Sequence, residues 1–353
     1  MRKVCLTCDL WLAVTNDHYF VVTCHWINDN WQIRNLILDF VDVHSKQDSK
    51  AIFEFLNKTI SRFNLHRKLL AIATDNASTM VAVMNKLITF MKNNYQIDIY
   101  HIRCAAHILN LIVGILYNSV LMKNSILAVR NAIKDVRGSS KLEYKLKQYA
   151  HVNEEPDIKL ILDCEIRWNS TFDMLQVALK LRKSLTELAS NEISMDSIED
   201  DDWKNVGIVV ELLEPFKLAT EEICGDDYVL MSRLYPVFIG IKDHLIDCEK
   251  KKKYDPYKSV VQEMIMKYTE YWLIIRPFAI IANGLDPRFK IDIMPRGDKE
   301  FFTTKLSEIF NTENNSNSSS VSSSPASSQD KNKISITKQV MIQKNCIQIQ
   351  QMK

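Results

Sequence analysis

Three consecutive extended runs occupy the first 43 residues and constrain the fold more than any other feature of the chain. The runs cover residues 4–12, 19–27 and 31–43, and they are rich in apolar, β-branched and aromatic residues. Asn16-Asp17-His18 and Asn28-Asp29-Asn30 separate them, and Asn and Asp side chains favour tight turns. The pattern predicts an antiparallel meander of three strands.

Helices and strands alternate after this meander. Apolar residues at helical spacing predict a helix over residues 49–64, followed by a strand over 68–74. A second helix is predicted over 79–93, a short strand over 99–104 and an apolar helix from Ala105 onward. This β-β-β-α-β-α-β-α order is that of the ribonuclease-H-like arrangement, in which the first strand lies beside the fourth. We therefore expect an α/β fold built on a mixed sheet.

The periodicity changes again in the second half of the chain. From about Ala128 onward it is almost wholly helical. Residues 314–329 are almost entirely Asn and Ser, and such a segment cannot bury enough apolar surface to become ordered. We expect a ribonuclease-H-like core over residues 1–127, an all-helical insertion domain over 128–310 and a disordered tail over 311–353.

The charge balance excludes a generally basic protein. There are 45 Lys and Arg against 43 Asp and Glu, so any attraction to nucleic acid must be local. The Lys-rich loop at 249–253 is one such cluster, although a solvated loop is the favoured interpretation. Eight cysteines without an apolar segment after Met1 are typical of a reducing compartment. The most apolar stretch, 108–122, is shorter than the roughly 20 residues that a membrane span needs, so no membrane contact is expected.

Asp9 and Asp75 each end the apolar run of a predicted strand. If the first and fourth strands are neighbours, the two carboxylates converge, and their oxygens suit Mg²⁺ or Mn²⁺. Pairs of such ions support phosphoryl transfer, and a site of that kind normally includes a third acid. A strand-end Asp also caps the turn that follows it, so each aspartate taken alone has this second interpretation.

Four motifs along the chain occur in the order that they have in a known family. They are Thr7-x-Asp9-x-Trp11, Asp75-Asn76-Ala77-Ser78, Cys104-x-x-His107 followed by Leu109-Asn110-Leu111, and Arg167-Trp168-Asn169-Ser170-Thr171-Phe172-x-Met174-Leu175. Leu213-Glu214-Pro215-Phe216 and Leu285-Asp286-Pro287-Arg288-Phe289-Lys290 resemble later segments. From Thr7 to Lys290 the chain therefore resembles the hAT-family transposases of the BED-type zinc finger, ricesleeper-like kind.

The resemblance implies a core that cuts DNA at element ends through a hairpin intermediate. It makes Asp9 and Asp75 the first two metal-binding acids, with Mg²⁺ or Mn²⁺ as the cofactor. It makes Trp168 the residue that stacks on the distorted DNA and Arg167 its neighbour on phosphate, which agrees with the chemistry of an indole and a guanidinium. From the residues alone, an ordinary core position is the alternative for Trp168.

Cys104 and His107 have a different alternative, because with Cys5-x-x-Cys8 they offer four ligands of the zinc type. Residues three apart on a strand point to opposite faces, so Cys5 and Cys8 do not easily close on one ion. We therefore expect no zinc. The resemblance implies that Cys104 and His107 lie near the active centre and assist DNA handling, and a buried Cys with a hydrogen-bonded His packing strand to helix remains the other interpretation.

Some family features have no counterpart in the sequence. We find neither a BED-type finger before the first strand nor the Ser-Glu-Arg-x-Phe-Ser motif that carries the third acid in the family's dimerisation segment. Ser307-Glu308-Ile309-Phe310 lacks the Arg and is not assigned that role. The sequence predicts a nuclear, DNA-binding, truncated or domesticated hAT transposase-like protein that binds metal weakly and lacks competent strand transfer. A nuclear regulatory or scaffold protein, or a gene fragment without a selected function, is the alternative.

Overall fold

Five strands in the described part of the chain form one mixed sheet. The computed structural model describes residues 3–12, 17–30, 32–43, 48–165, 167–224 and 231–318. Its strands are β1 (Val4–Leu12), β2 (His18–Ile27), β3 (Ile33–Asp42), β4 (Leu69–Thr74) and β5 (Tyr100–Arg103). The helices that alternate with the later strands are α1 (Ser49–Arg62), α2 (Ser78–Tyr95) and α3 (Ala105–Asn118). The predicted order of elements is confirmed.

The sheet order is β3-β2-β1-β4-β5, which places β1 at the centre. β1 pairs antiparallel with β2 and parallel with β4, and β4 pairs parallel with β5. The turn between β2 and β3 is closed by Asn28, whose Oδ1 accepts hydrogen bonds from the backbone N–H groups of Asn30 (3.1 Å) and Gln32 (2.9 Å). The first strand thus lies beside the fourth, as the sequence predicts.

One face of the sheet carries the apolar core of this region. Leu6 of β1 and Ile72 of β4 pack in one buried cluster with Leu56 of α1 and Met84 of α2. Strand side chains alternate between faces, so a slip of one residue would expose the whole set, and burying each such side chain contributes about 1.5–3 kcal/mol. The core therefore fixes the register of β1 against β4 and, with it, the position of their carboxyl ends.

The described elements after α3 are all helical. They are α4 (Val120–Gly138), α5 (Ser140–Val152), α6 (Trp168–Lys180), α7 (Arg182–Asn191), α8 (Asp200–Ile223), α9 (Met231–Lys250), a 3-10 helix (Lys252–Tyr257), α10 (Lys258–Gly284) and α11 (Arg296–Ser318). Three carboxylates in the first turn of α8 favour its amino terminus electrostatically. The predicted helical insertion after the sheet is confirmed.

Contacts divide the chain into two compact units. The first comprises residues 1–108, 222–238 and 271–353, and the second comprises 109–221 and 239–270. The chain passes from one unit to the other inside α3, α8, α9 and α10. The predicted domain boundaries, at 127/128 and 310/311, stay a prediction. The two divisions differ because the apolar period of a helix does not show which neighbours the helix packs against.

The predicted tail begins inside the last described helix. Residues 311–318 form the end of α11, and residues 319–353 lie outside the described residues. In the described part of the chain, no single helix has the length and apolar character to cross a bilayer. α3 and α4 meet those criteria only when taken together, and an angle of 86° separates them.

Candidate functional site

Asp9 lies in the carboxyl-terminal half of β1, and Asp75 directly follows the neighbouring parallel strand β4. Thr7 of β1 is the register partner of Ala73 of β4. Continuing that register by two residues brings Asp9 level with Asp75, and neighbouring strands are about 4.8 Å apart. Both aspartates are partly exposed. The first unit therefore brings the two predicted acids to one edge of the sheet, where carboxylate oxygens are able to share a cation.

Each of these carboxylates also binds the adjacent backbone. Oδ1 of Asp9 accepts a hydrogen bond from the N–H of Leu10, and Oδ1 of Asp75 accepts one from the N–H of Ala77, both at 3.1 Å. Ala77 is the N-cap residue of α2 and cannot cap the helix with its own side chain. Because a carboxylate has about four acceptor positions, capping and metal binding are compatible at Asp75.

Cys104 and His107 lie at the same edge of the sheet. The N–H of Cys104 donates to the carbonyl of Thr74 at 3.0 Å, and Nδ2 of Asn76 donates to the carbonyl of Cys104 at 3.1 Å. His107 follows in the first turn of α3, and both side chains are partly buried. These bonds join the Cys-x-x-His segment to the turn that carries Asp75.

The two cysteines of β1 lie on opposite faces of the sheet. Cys8 belongs to the apolar core cluster, where burial raises the pKa of its thiol. Cys5 has the alternate position in the same strand. Among the residues that the structure describes, no group of three or more His, Cys, Asp or Glu side chains is arranged to hold a metal. The expectation that the protein binds no zinc stays a prediction.

Arg103 is a candidate site residue that the sequence reasoning missed. It is the last residue of β5 and the register partner of Thr74, the residue before Asp75. Burial lowers the pKa of its guanidinium, whereas Tyr271 and Asp75 act in the opposite direction. Arg103 is therefore close enough to Asp75 for their charges to interact. The signal was present in the sequence, since a cation ends the strand next to the one that leads to Asp75.

A partly buried histidine, His101, supports the backbone at Asp75. The hydroxyl of Thr74 donates to the carbonyl of Asp75 at 2.7 Å, and Nε2 of His101 lies 2.9 Å from the same hydroxyl. A hydroxyl has one proton, so His101 must carry its proton on Nε2 and donate it. Burial, with a contribution from Arg103, lowers the pKa of His101 to about 4. His101 is therefore neutral at pH 7.

Arg167 and Trp168 belong to the second unit. Arg167 is the exposed N-cap residue of α6, and Trp168 begins that helix with only 7 % of its surface exposed. The indole belongs to an apolar stripe with Phe172 and Leu175, which are also buried. The structure thus gives Trp168 the core position that the sequence left as the alternative. Stacking on DNA needs an accessible indole face, and that role stays a prediction.

The Ser307-Glu308 segment lies on α11. The carboxylate of Glu308 accepts from Nζ of Lys305 at 2.7 Å, three residues earlier on the same helix. Both side chains are about half exposed, which is the geometry of an ordinary surface ion pair. This segment supplies no reason to assign Glu308 the role of a third acid.

A sheet of order 3-2-1-4-5, with Asp9 in β1 and Asp75 directly after the neighbouring parallel strand β4, together with a helical unit, defines a ribonuclease-H-like protein. Two family models match, the ZBED1 RNase-like domain over residues 7–99 and the ZBED1 RNase-like helical domain over residues 102–212. The chain belongs to the hAT-family transposase-like proteins.

Curated relatives agree with this assignment. The chain is 28 % identical over 302 residues to the "Putative AC transposase" of Zea mays, an alignment that covers 80 % of this chain and 36 % of the relative. It is 25 % identical over 308 residues to the zinc finger BED domain-containing protein RICESLEEPER 2 of Oryza sativa subsp. japonica, covering 83 % and 41 %. The chain thus spans well under half the length of these relatives.

Proposed function

We propose that this chain is a nuclear, transposase-like DNA-binding protein that holds one divalent cation weakly and does not itself carry out strand transfer. The observation that supports it best is the parallel register of Thr7 with Ala73, which, continued by two residues, brings Asp9 level with Asp75, with Arg103 at the end of the next strand. The relatives named transposases and BED zinc finger proteins support the DNA-binding part of the proposal.

The donor set fits a hard divalent cation such as Mg²⁺ or Mn²⁺. Two carboxylates about 4 Å apart repel each other by about 4 kcal/mol at an effective dielectric constant of 20, and a cation relieves that repulsion. A bound ion would supply Lewis-acid polarisation of a phosphoryl oxygen. Two protein acids leave most of an octahedral shell to water, and Arg103 already offsets part of the negative charge, so the binding is weak.

DNA contact in this proposal is local. The net charge of +2 supplies no general attraction to a polyanion. The exposed Arg167 binds a phosphate through its guanidinium, which offers two parallel donors to a pair of phosphate oxygens. Few phosphates are contacted, and the affinity therefore depends only modestly on salt.

The test combines DNA binding with DNA cutting. We expect fluorescence anisotropy with a labelled DNA hairpin to show binding whose log–log salt slope is about −2 to −3, as two or three phosphate contacts would give. We expect no Mn²⁺-dependent nicking of the same hairpin by the chain, and the Asp75→Asn variant is the matched control. Nicking that Asp75→Asn abolishes would refute the absence of strand cutting, and failure to bind DNA at low salt would refute the proposal as a whole.

A regulatory role is the second candidate function. One relative, 23 % identical over 278 residues, is the "Putative transcriptional regulator tpeD" of Talaromyces stipitatus. In this alternative the core serves as an interaction surface and DNA is bound without being cut. Binding without nicking fits both candidates, and recovery of a sequence-specific site from a random DNA pool would favour the regulator.

A further inference from the structure

The segment that leads into Arg167 is held by a buried carboxylate. It connects α5 to α6 in the second unit and forms neither a helix nor a strand in its described residues, 153–165 and 167. Asp163 lies near its end, and the side chain of this residue is only 1 % exposed. A buried carboxylate in an irregular segment requires partners, because an unpaired charge there would be strongly unfavourable.

Asp163 has three hydrogen bonds from two helices. Nε and Nη2 of Arg130, on α4, donate to its two oxygens at 2.9 and 2.7 Å, which is a bidentate ion pair. The hydroxyl of Thr171, on α6, donates to Oδ2 at 2.6 Å. Burial raises the pKa of Asp163, but the bonds from Arg130 and Thr171 lower it by more. Asp163 is therefore ionised and joins α4 to the start of α6.

Hydrogen bonds near Asp163 also fix the backbone of Arg167. Its N–H donates to the carbonyl of Cys164 at 2.7 Å, and its own carbonyl accepts from the hydroxyl of Ser170 at 2.7 Å. That hydroxyl also accepts from the N–H of Cys164 at 2.9 Å. Cys164, Arg167 and Ser170 are thus linked to one another by hydrogen bonds in a turn before α6, and the Arg167 side chain is exposed there.

We propose that Asp163 is a positioning residue for DNA binding, because its bridge between Arg130 and Thr171 holds the turn that presents the guanidinium of Arg167 to a phosphate. The inference rests on the proposed DNA-binding function. It predicts a loss of affinity when a negative charge is removed, although removing negative charge from a protein ordinarily strengthens its attraction to a polyanion. The sign of the effect therefore distinguishes positioning from bulk charge.

The test compares Asp163→Asn, Arg167→Gln and the double variant by anisotropy with the labelled DNA hairpin over a range of salt concentrations. We expect Arg167→Gln to make the salt slope shallower by about 0.9, the value of one phosphate contact, and Asp163→Asn to weaken binding and flatten the slope similarly. The double variant should bind no more weakly than Arg167→Gln, because Asp163 acts through Arg167.

Asp173→Asn is the matched control. Asp173 lies on α6, the helix whose N-cap residue is Arg167. Its carboxylate is also paired with a cation, Nζ of Lys217 at 2.9 Å, and its side chain is 40 % exposed. We expect this variant to bind DNA as well as the unmodified chain or slightly better. If Asp163→Asn does not fold by circular dichroism, Thr171→Val carries the test, since it removes one of the three bonds and keeps the ion pair.

Three results separate the inference from the function on which it rests. Unchanged or stronger DNA binding by Asp163→Asn, or by Thr171→Val in its place, overturns the positioning role while the unmodified chain still binds. Additive losses in the double variant overturn it as well, because they show that the two residues act independently. Failure of the unmodified chain to bind DNA overturns the proposed function itself.

Discussion

The two regions that the family resemblance assigns to DNA are held in place by different interactions. At the sheet edge, Asp9 and Asp75 owe their positions to backbone pairing, because the register of β1 against β4 brings them level. In the second unit, the turn before Arg167 owes its position to side chains that meet at the buried Asp163. The backbone pairing of two strands persists when an exposed side chain on one of them is changed, whereas a network of side-chain hydrogen bonds is disrupted when one member is removed.

Stability and function are therefore separable in one region and coupled in the other. The carboxylates of the sheet edge are partly exposed and repel each other, so they reduce stability in the absence of a cation. The carboxylate of Asp163 is buried and compensated, so it becomes destabilising only when its partner is lost. Substitutions in the two regions should have opposite signs in unfolding experiments.

The largest effect is expected from Arg130→Met. This change leaves Asp163 buried without its cation, and breaking a buried pair in this way costs about 3–5 kcal/mol of unfolding free energy. Asp75→Asn is the comparison from the sheet edge, and there we expect a change within about 0.5 kcal/mol or a slight gain. Urea denaturation followed by circular dichroism measures both values. Equal losses for the two variants would contradict the distinction between the regions.

The next effect is a pH dependence confined to the first unit. Burial lowers the pKa of His25 and of His101 to about 4, from the usual 6.5. The unfolded chain therefore binds more protons than the folded chain between pH 6.5 and pH 4, and stability falls as the pH falls through that range. At pH 5 the loss is about 2 kcal/mol for each histidine. The Arg130–Asp163 pair is unaffected there, because the pKa of Asp163 is below its ordinary value.

Hydrogen–deuterium exchange at pH 7 and pH 5, corrected for the intrinsic rates, measures this difference. Peptides from β2 and β5 should lose protection at pH 5, and peptides from the turn before α6 should keep it. His101→Gln is the control, because an amide group is able to donate to Thr74 without titrating, and the part of the pH dependence that His101 supplies should disappear. Equal loss of protection in both units would show that His25 and His101 are not its cause.

The sheet edge was largely predictable from the sequence, because its determinants are local. Alternating apolar residues and Asn/Asp turns indicate the strands, and the order of elements then places the strand of Asp9 beside that of Asp75. The structure confirms this order. The position of Arg103 follows from the same strand order, but a single Arg at the end of a short strand belongs to no sequence motif that marks it as a site residue.

The turn before Arg167 was not predictable in the same way. Arg130 and Asp163 are 33 residues apart, and no periodic pattern relates two charged residues that meet only after folding. Trp168 shows a second limit. An indole that starts an amphipathic helix fits both a DNA-stacking residue and the first member of the apolar stripe. Its 7 % exposure, which the sequence does not reveal, favours the core position, and the stacking role stays a prediction.

The smallest effect concerns Arg103 and tests the sheet edge directly. If this guanidinium offsets the charge of Asp75, Arg103→Gln should strengthen Mn²⁺ binding by on the order of 1 kcal/mol, about five-fold, because the cation no longer competes with a fixed positive charge. Mn²⁺ titration followed by electron paramagnetic resonance measures the free ion.

Arg67→Gln is the matched control for this measurement, since it removes the same charge just before the amino end of β4, far from Asp75 at the carboxyl end. An equal rise in affinity for both variants would indicate a general charge effect. A lower Mn²⁺ affinity for Arg103→Gln alone would mean that Arg103 helps to position the carboxylates by more than its charge repels the bound cation. A rise for Arg103→Gln alone places the cation at the edge defined by the register of β1 and β4, and it shows that backbone pairing alone keeps this site intact when a neighbouring side chain is changed.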